Sequence, residues 1–343
     1  MRKACAIAAV GLCLAIATPC WAHDTIKKTS GTVSGKIKSM SPASVTIEKA
    51  GGGRLREDVP VNIIETIYFD QEPAQMRTIR AYIRDGQYED ALESLDGLKL
   101  DEIDRDVILQ DIEFYKALCK TKLALGGTGQ VLDAAKVMGA FRKKNSGNYH
   151  YLEATELMGN LALTLGRYSE AEELYTILGR APWPDYKMRA AVAMGYSRLA
   201  QNKPAEARKA FNFALSISAT DALARKQQLA AKLGIARCDA AAGQHDKAVA
   251  AVLDILSRAD PENVELQAKA YNTLGTAYRK AGKTKDALWA FLHVDILYFG
   301  DQESHAEALW NLESLWKALH KPDRALRARR ILDTRYKNSR WAK

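Results

Sequence analysis

Histidine is the side chain best suited to proton transfer and metal binding near neutral pH. This chain has six: His23, His150, His245, His293, His305 and His320. None belongs to a His-Glu-x-x-His set, and no two stand three or four residues apart. No zinc-type ligand pair can therefore be written on one helix face. His245 and His320 fall where turns are expected, and His293 reads as structural. His23 could chelate copper only as a mature N-terminus, and nothing else here resembles enzymes that do so. Gly51-Gly52-Gly53 lacks the Lys-Ser or Lys-Thr of a phosphate loop, and no Gly-x-Ser-x-Gly elbow occurs. The many Asp and Glu residues track helix surfaces. The residue inventory thus points away from an enzyme and implies no cofactor and no metal. Binding is the chemistry left to explain.

Two segments must be separated before the elements can be read. Arg2 and Lys3 head a 14-residue apolar run, Ala4 to Ala17, and small residues stand at Cys20 and Ala22. Such a run is too short to span a bilayer as a helix. It fits a signal peptide cut after Ala22. Ala17-Thr18-Pro19 before Cys20 does not match the usual lipoprotein pattern. No later apolar run reaches membrane-spanning length, so the mature chain is expected to be soluble and exported, periplasmic or extracellular. Cleavage would leave Cys119 and Cys238, which the repeats described below keep too far apart to bridge. Both read as small buried hydrophobes. The 343 residues are 47% hydrophobic and 27% charged, the balance of a globular protein.

Residues 30–70 read as a small β module. Thr32 to Ile37 and Ser44 to Glu48 alternate polar and apolar residues, Gly51-Gly52-Gly53 makes a turn, and Leu55 to Val59 and Ile63 to Phe69 complete about four strands. Some 40 residues give a marginal core alone. The module is expected to be an SH3-like or Sm-like sheet packed on the first helices.

From Glu72 onward the period is helical, and one signature repeats. A turn residue is followed by Ala five positions later and an apolar residue four further on. It occurs as Gly86/Ala91/Leu95, Gly166/Ala171/Tyr175, Asn202/Ala207/Phe211, Gly243/Ala248/Val252 and Gly282/Ala287/Phe291. His320/Ala325 repeats it weakly, with Arg329 in the apolar place. From Gly166 the turns lie 36, 41, 39 and 38 residues apart. A small residue (Gly159, Gly195, Ala236 or Gly275) precedes most turns by seven. The turn residue ends one helix and starts the next. In Asn202-Lys203-Pro204 and His320-Lys321-Pro322, proline opens the second helix. The small residue and the Ala mark where two helices cross closely.

Tyr271 to Leu288, with Gly275, Tyr278, Gly282 and Ala287, closely resembles a tetratricopeptide repeat. Gly86 to Leu92 and Gly166 to Ala171 are similar at their inter-helix turns. The resemblance covers about residues 72–340 and implies a right-handed α-solenoid of antiparallel helix pairs: seven units, fourteen helices. The unit around Gly126-Gly127-Thr128-Gly129 reads as poorly formed, and the last unit as a cap. The longer period implies longer helices or links than the family's 34 residues. In such a solenoid the first helix of each unit lines the concave face. Asn160, Tyr196, Arg237, Asn272, Thr276, Arg279 and Trp310 are the expected partner-binding residues. Their mix of aromatic, Arg and amide suits a peptide. The Lys and Asn four apart that capture a C-terminal carboxylate in some relatives are not reproduced: Glu156 precedes Asn160, and Lys269 and Asn272 are three apart.

Charge is uneven along the chain. Glu72 to Glu113 holds 12 acidic and 5 basic residues, while His320 to Lys343 holds 9 basic and 2 acidic. The ends suit solvated faces, a contact with membrane head groups at the basic end, or self-association. Nucleic acid is not an expected partner of an exported chain. Trp289, Phe291, Tyr298, Phe299, Trp310 and Trp316 are spaced mainly as core. The function these features support is an exported protein-interaction scaffold. The alternative is a self-associating component of the cell envelope.

Overall fold

A computed structural model describes residues 23–50 and 55–342. The expected signal peptide and the triple-glycine turn lie outside the described residues. The chain begins with a five-stranded antiparallel sheet: β1 (Asp24–Lys28), β2 (Thr32–Met40), β3 (Ser44–Lys49), β4 (Arg56–Pro60) and β5 (Ile64–Tyr68), in the order β4-β3-β2-β1-β5. It is a meander whose last strand returns beside the first. The sheet starts earlier than residue 30, because Asp24 to Lys28 is itself a strand that the sequence pattern left out. Ile26, Val45, Ile47, Val59 and Ile67 are fully buried on one face. They share one core with Met76, Ile79, Leu95, Ile108 and Ile112 of the first helices. The sheet could not close that face alone.

Among the described residues fourteen helices follow in seven antiparallel pairs. They are α1 (Gln75–Arg84) with α2 (Tyr88–Asp96), α3 (Asp106–Leu125) with α4 (Val131–Lys144), and α5 (Tyr151–Thr164) with α6 (Tyr168–Leu178). Then come α7 (Pro184–Ala200) with α8 (Pro204–Ser216) and α9 (Ala222–Ala241) with α10 (His245–Arg258). The last are α11 (Val264–Lys280) with α12 (Thr284–Ile296) and α13 (Gln302–Ala318) with α14 (Pro322–Arg335). The second pair is a regular one, correcting the reading of a poorly formed unit. Only its connection, Gly126 to Gln130, is unusual.

The repeated signature has a direct physical cause. The turn residue of each unit is left-handed: Gly166 at φ 73°, Gly282 at φ 75°, and, without glycine's freedom, Asn202 at 58° and His320 at 55°. The signature alanines from Ala91 to Ala325 are buried. The aromatic one turn later lies on the small residue of the first helix. A Cβ on Gly195 would sit 2.4 Å from the Phe211 ring, and one on Gly275 2.7 Å from the Phe291 ring. Phe211 also fills the space at Gly234 of the next unit, 2.3 Å from a Cβ there. One ring thus spaces both the pair and the stack. Cys119 and Cys238 are buried and free, as their separation requires. Burial pushes the Cys119 thiol up to about 12. Among the described residues no helix is long and apolar enough to cross a membrane.

Candidate functional site: the inner wall of a closed solenoid

Positions six before each turn form a row along successive first helices: Asn160, Tyr196, Arg237 and Thr276. All four are half-buried. Tyr196 rests edge-on against Phe211 at 5.3 Å, and the Arg237 guanidinium lies 5.9 Å over its ring. Asn160 accepts a hydrogen bond from the Tyr175 hydroxyl at 2.8 Å. Arg237 on α9 donates to Glu307 on α13 at 2.9 Å. That contact skips a whole unit, so the solenoid curves tightly.

The wall is charged and wet. Arg189 pairs with Glu156 and lies 4.6 Å over the Tyr186 ring. Lys269 pairs with Glu265 at 2.7 Å, and their side chains stay 36% and 54% accessible. Lys269 holds the Glu265 carboxyl well below its usual range. Burial works against the charged Lys269, yet Glu265 and Asp301 hold it above its ordinary value. Burial, together with the nearby Glu265 carboxylate, pushes Asp301 up to about 6 against the pull of Lys269. Lys122 of α3 acts on the carboxylates of both Glu153 on α5 and Glu265 on α11.

The two ends of the solenoid meet. The Asn338 backbone N–H donates to Gly127 O at 3.0 Å, and its side-chain amide donates to Thr128 O at 3.2 Å. Gln130 donates to Asn338 Oδ1 at 3.3 Å. A Cβ on Gly127 would stand 2.7 Å from Ser339 Cβ, and one on Gly126 2.0 Å from Gln302 Oε1. The Gly126 to Gln130 connection is thus the seat of the C-terminal tail. The second to seventh pairs thus close into a ring.

The structure separates the expected partner-binding residues into different roles. Tyr196, Arg237 and Thr276 line the interior, with Asn160 at the same position in its own unit. Asn272 is corrected: it has no exposed surface, and its amide donates to Ser304 O at 2.8 Å. It ties α11 to α13, since its place ten before the turn faces the next unit. Arg279 lies 5.4 Å over the Trp310 ring, which packs at 5.5 Å on Trp341. These three make a separate cluster at the last unit. Phe291 and Trp316 are core, whereas Trp289 and Phe299 are 64% and 47% exposed beside Ile296 and Leu297.

Sequence reasoning missed a buried polar network under the sheet. Arg80 donates to Glu72 at 2.7 Å and to Asp111 at 3.0 Å. Asp111 also accepts from Tyr149 at 2.7 Å and meets His150 Nε2 at 2.9 Å. His150 stacks on Phe114 at 3.6 Å. Burial opposes both charges. His150 with Arg80 nevertheless keeps the Asp111 carboxyl low, and Asp111 with Glu153 keeps the imidazole high. The signal available in the sequence was a charged residue, Asp111, in an otherwise apolar helical face. Among the described residues no group of three or more His, Cys, Asp or Glu is placed to hold a metal ion.

This architecture is a tetratricopeptide-type solenoid with an N-terminal antiparallel β module. Residues 123–185 match the family model described as tetratricopeptide repeat. The match runs from the end of α3 through α4, α5 and α6 to the start of α7. Among solved structures, a Rap protein complexed with competence and sporulation factor aligns with TM-score 0.53 at 12% identity, over 76% of this chain and 73% of its own. A tetratricopeptide repeat protein from Parabacteroides merdae ATCC 43184 aligns with TM-score 0.47 at 16% identity, over 76% and 91%. The pilus biogenesis factor PilW aligns with TM-score 0.41 at 19% identity, over 68% and 96%. No curated protein sequence matches the chain.

Proposed function

We propose that the chain is an exported interaction scaffold that holds a partner's polypeptide segment inside the ring. The observation that carries this reading is the Tyr196–Arg237–Thr276 row: accessible, mixed aromatic, cationic and polar, and facing an enclosed interior. Aromatic and Arg side chains are the residues that most often anchor such contacts. The Rap structure supports the reading by analogy, since that protein of similar fold was solved with a bound factor. Export rests on the basic head, the short apolar run and the small residues at Cys20 and Ala22. The first strand begins at Asp24, so a mature start at His23 leaves the sheet whole. The test is capture from envelope extract by the chain from His23, compared with a Tyr196→Ala, Arg237→Glu variant of equal thermal stability. Loss of one protein from the variant is expected; an unchanged set contradicts the interior as the site.

A second reading has its own support. Trp289, Ile296, Leu297 and Phe299 are each exposed on α12 and the link after it, and exposed apolar patches mark contacts between proteins. Self-association through them predicts oligomers that grow with concentration. Sedimentation of a monomer throughout the micromolar range removes this reading.

A further inference from the structure

We infer that the β module carries a second docking site, a free strand edge that takes an extended acidic segment of a partner protein. β2 runs to Met40, but β1 pairs with it only as far as Gly35, opposite Asp24. Among the described residues, from Lys36 to Met40 the strand has β3 on one side and no strand on the other. An unpaired edge is a template for another chain's backbone. Asp24 Oδ2 accepts the Ile37 N–H at 3.0 Å and so closes the near end. Beyond it lies a cleft of about 320 Å³ between this edge, the start of α3, and the end of α4 with the connection that follows it.

The lining decides the partner's chemistry. Lys38, Arg105 and Lys144 border the cleft, Asn145 and Asn148 form its buried floor, and none of its lining residues is acidic. Arg105 is committed to Asp24 at 2.7 Å, a contact with one side nearly dry. Lys38 pairs with Glu48 at 3.2 Å and Lys144 with Glu113 at 2.6 Å, both on the surface. Surface pairs of that kind are worth little, so a ligand carboxylate replaces either at small cost. A second copy of this chain is a poorer occupant. Pairing two copies of the edge about Lys38 would set like charges face to face.

The test uses the chain from His23 and three synthetic hexapeptides, followed by fluorescence anisotropy. One alternates Asp and Val, one alternates Lys and Val, and one repeats the acidic sequence with alternate backbone nitrogens methylated. The acidic peptide is expected to saturate the protein, the basic one to fail, and the methylated one to lose roughly tenfold or more in affinity. A Lys38→Glu, Lys144→Glu variant is expected to lose a similar factor. The interior variant Tyr196→Ala, Arg237→Glu is expected to bind the acidic peptide as before, so failure here and failure of the ring reading are separate results. No saturation up to about 1 mM, or binding indifferent to methylation and to the two lysine changes, overturns the inference.

Discussion

Two regions of the molecule use the same residue types to opposite ends. Under the sheet, Arg80, Asp111 and His150 are all less than 10% exposed, and every charge has a bonded partner. Along the ring wall, Arg237, Glu265 and Lys269 are also paired, but water reaches them. A dry network is costly to break and fixes how elements meet. A wet one is weakly held and can exchange partners. The comparison teaches that burial, more than residue type, separates the joint from the recognition surface.

Removing a carboxylate from the dry network gives the largest expected effect. Asp111→Ala takes from His150 its nearest carboxylate and leaves Arg80 with Glu72 alone, and urea denaturation should show a loss of about 3–5 kcal/mol. Glu265→Ala on the wet wall should cost under about 1 kcal/mol. Equal costs would erase the distinction between the two regions.

The seam comes next. Asn338→Ala removes the side-chain hydrogen bonds to Thr128 and from Gln130, and should cost about 1–2 kcal/mol. The clearer readout is shape: small-angle scattering should show a wider ring, and amide exchange at Gly127 to Gln130 should speed up. An unchanged radius with unchanged exchange would mean the tail does not hold the ring closed.

Asp301 gives a pH test of the wall. Its carboxyl sits at about 6, above its usual 3.8, because burial disfavours the charge. The folded chain therefore holds that proton more tightly than the unfolded one. Its contribution is complete below about pH 4 and is lost as pH rises through about 6. Asp301→Asn should flatten that step in melting temperature between pH 4 and 7. A step of the same size in the variant assigns it to another group.

The smallest effect concerns His320, which holds a left-handed turn where five other units use glycine. His320→Gly should stabilise by about 0.5–1 kcal/mol, read as a small rise in melting temperature. Destabilisation would show that the imidazole has a role beyond the turn.

The fold was largely legible because its rule is local. A left-handed turn needs Gly or a residue that tolerates it, and a close crossing needs Gly or Ala, so both leave a mark at fixed spacing. Seven pairs follow from those marks. The ring closure left none: Asn338 and Thr128 are 210 residues apart, and no short-range pattern couples them. For the same reason Gly126-Gly127-Thr128-Gly129 looked like decay of the repeat, when its glycines make room for the tail. Asn272 looked like its neighbours in the row because it stands one turn before Thr276 on nearly the same face, yet at that level α13 covers it and its amide bonds to Ser304 O. Strand β1 is short and follows an apolar leader, so its alternation was hidden.

The central claim is that the interior holds the partner. It is tested most directly by a photo-crosslinking amino acid at Thr276, on the inner row, compared with one at Leu326, exposed on α14. In native cells an adduct to one partner from position 276, with none from 326, is the predicted result. Adducts from 326 alone would contradict it and place recognition on the outside of the ring.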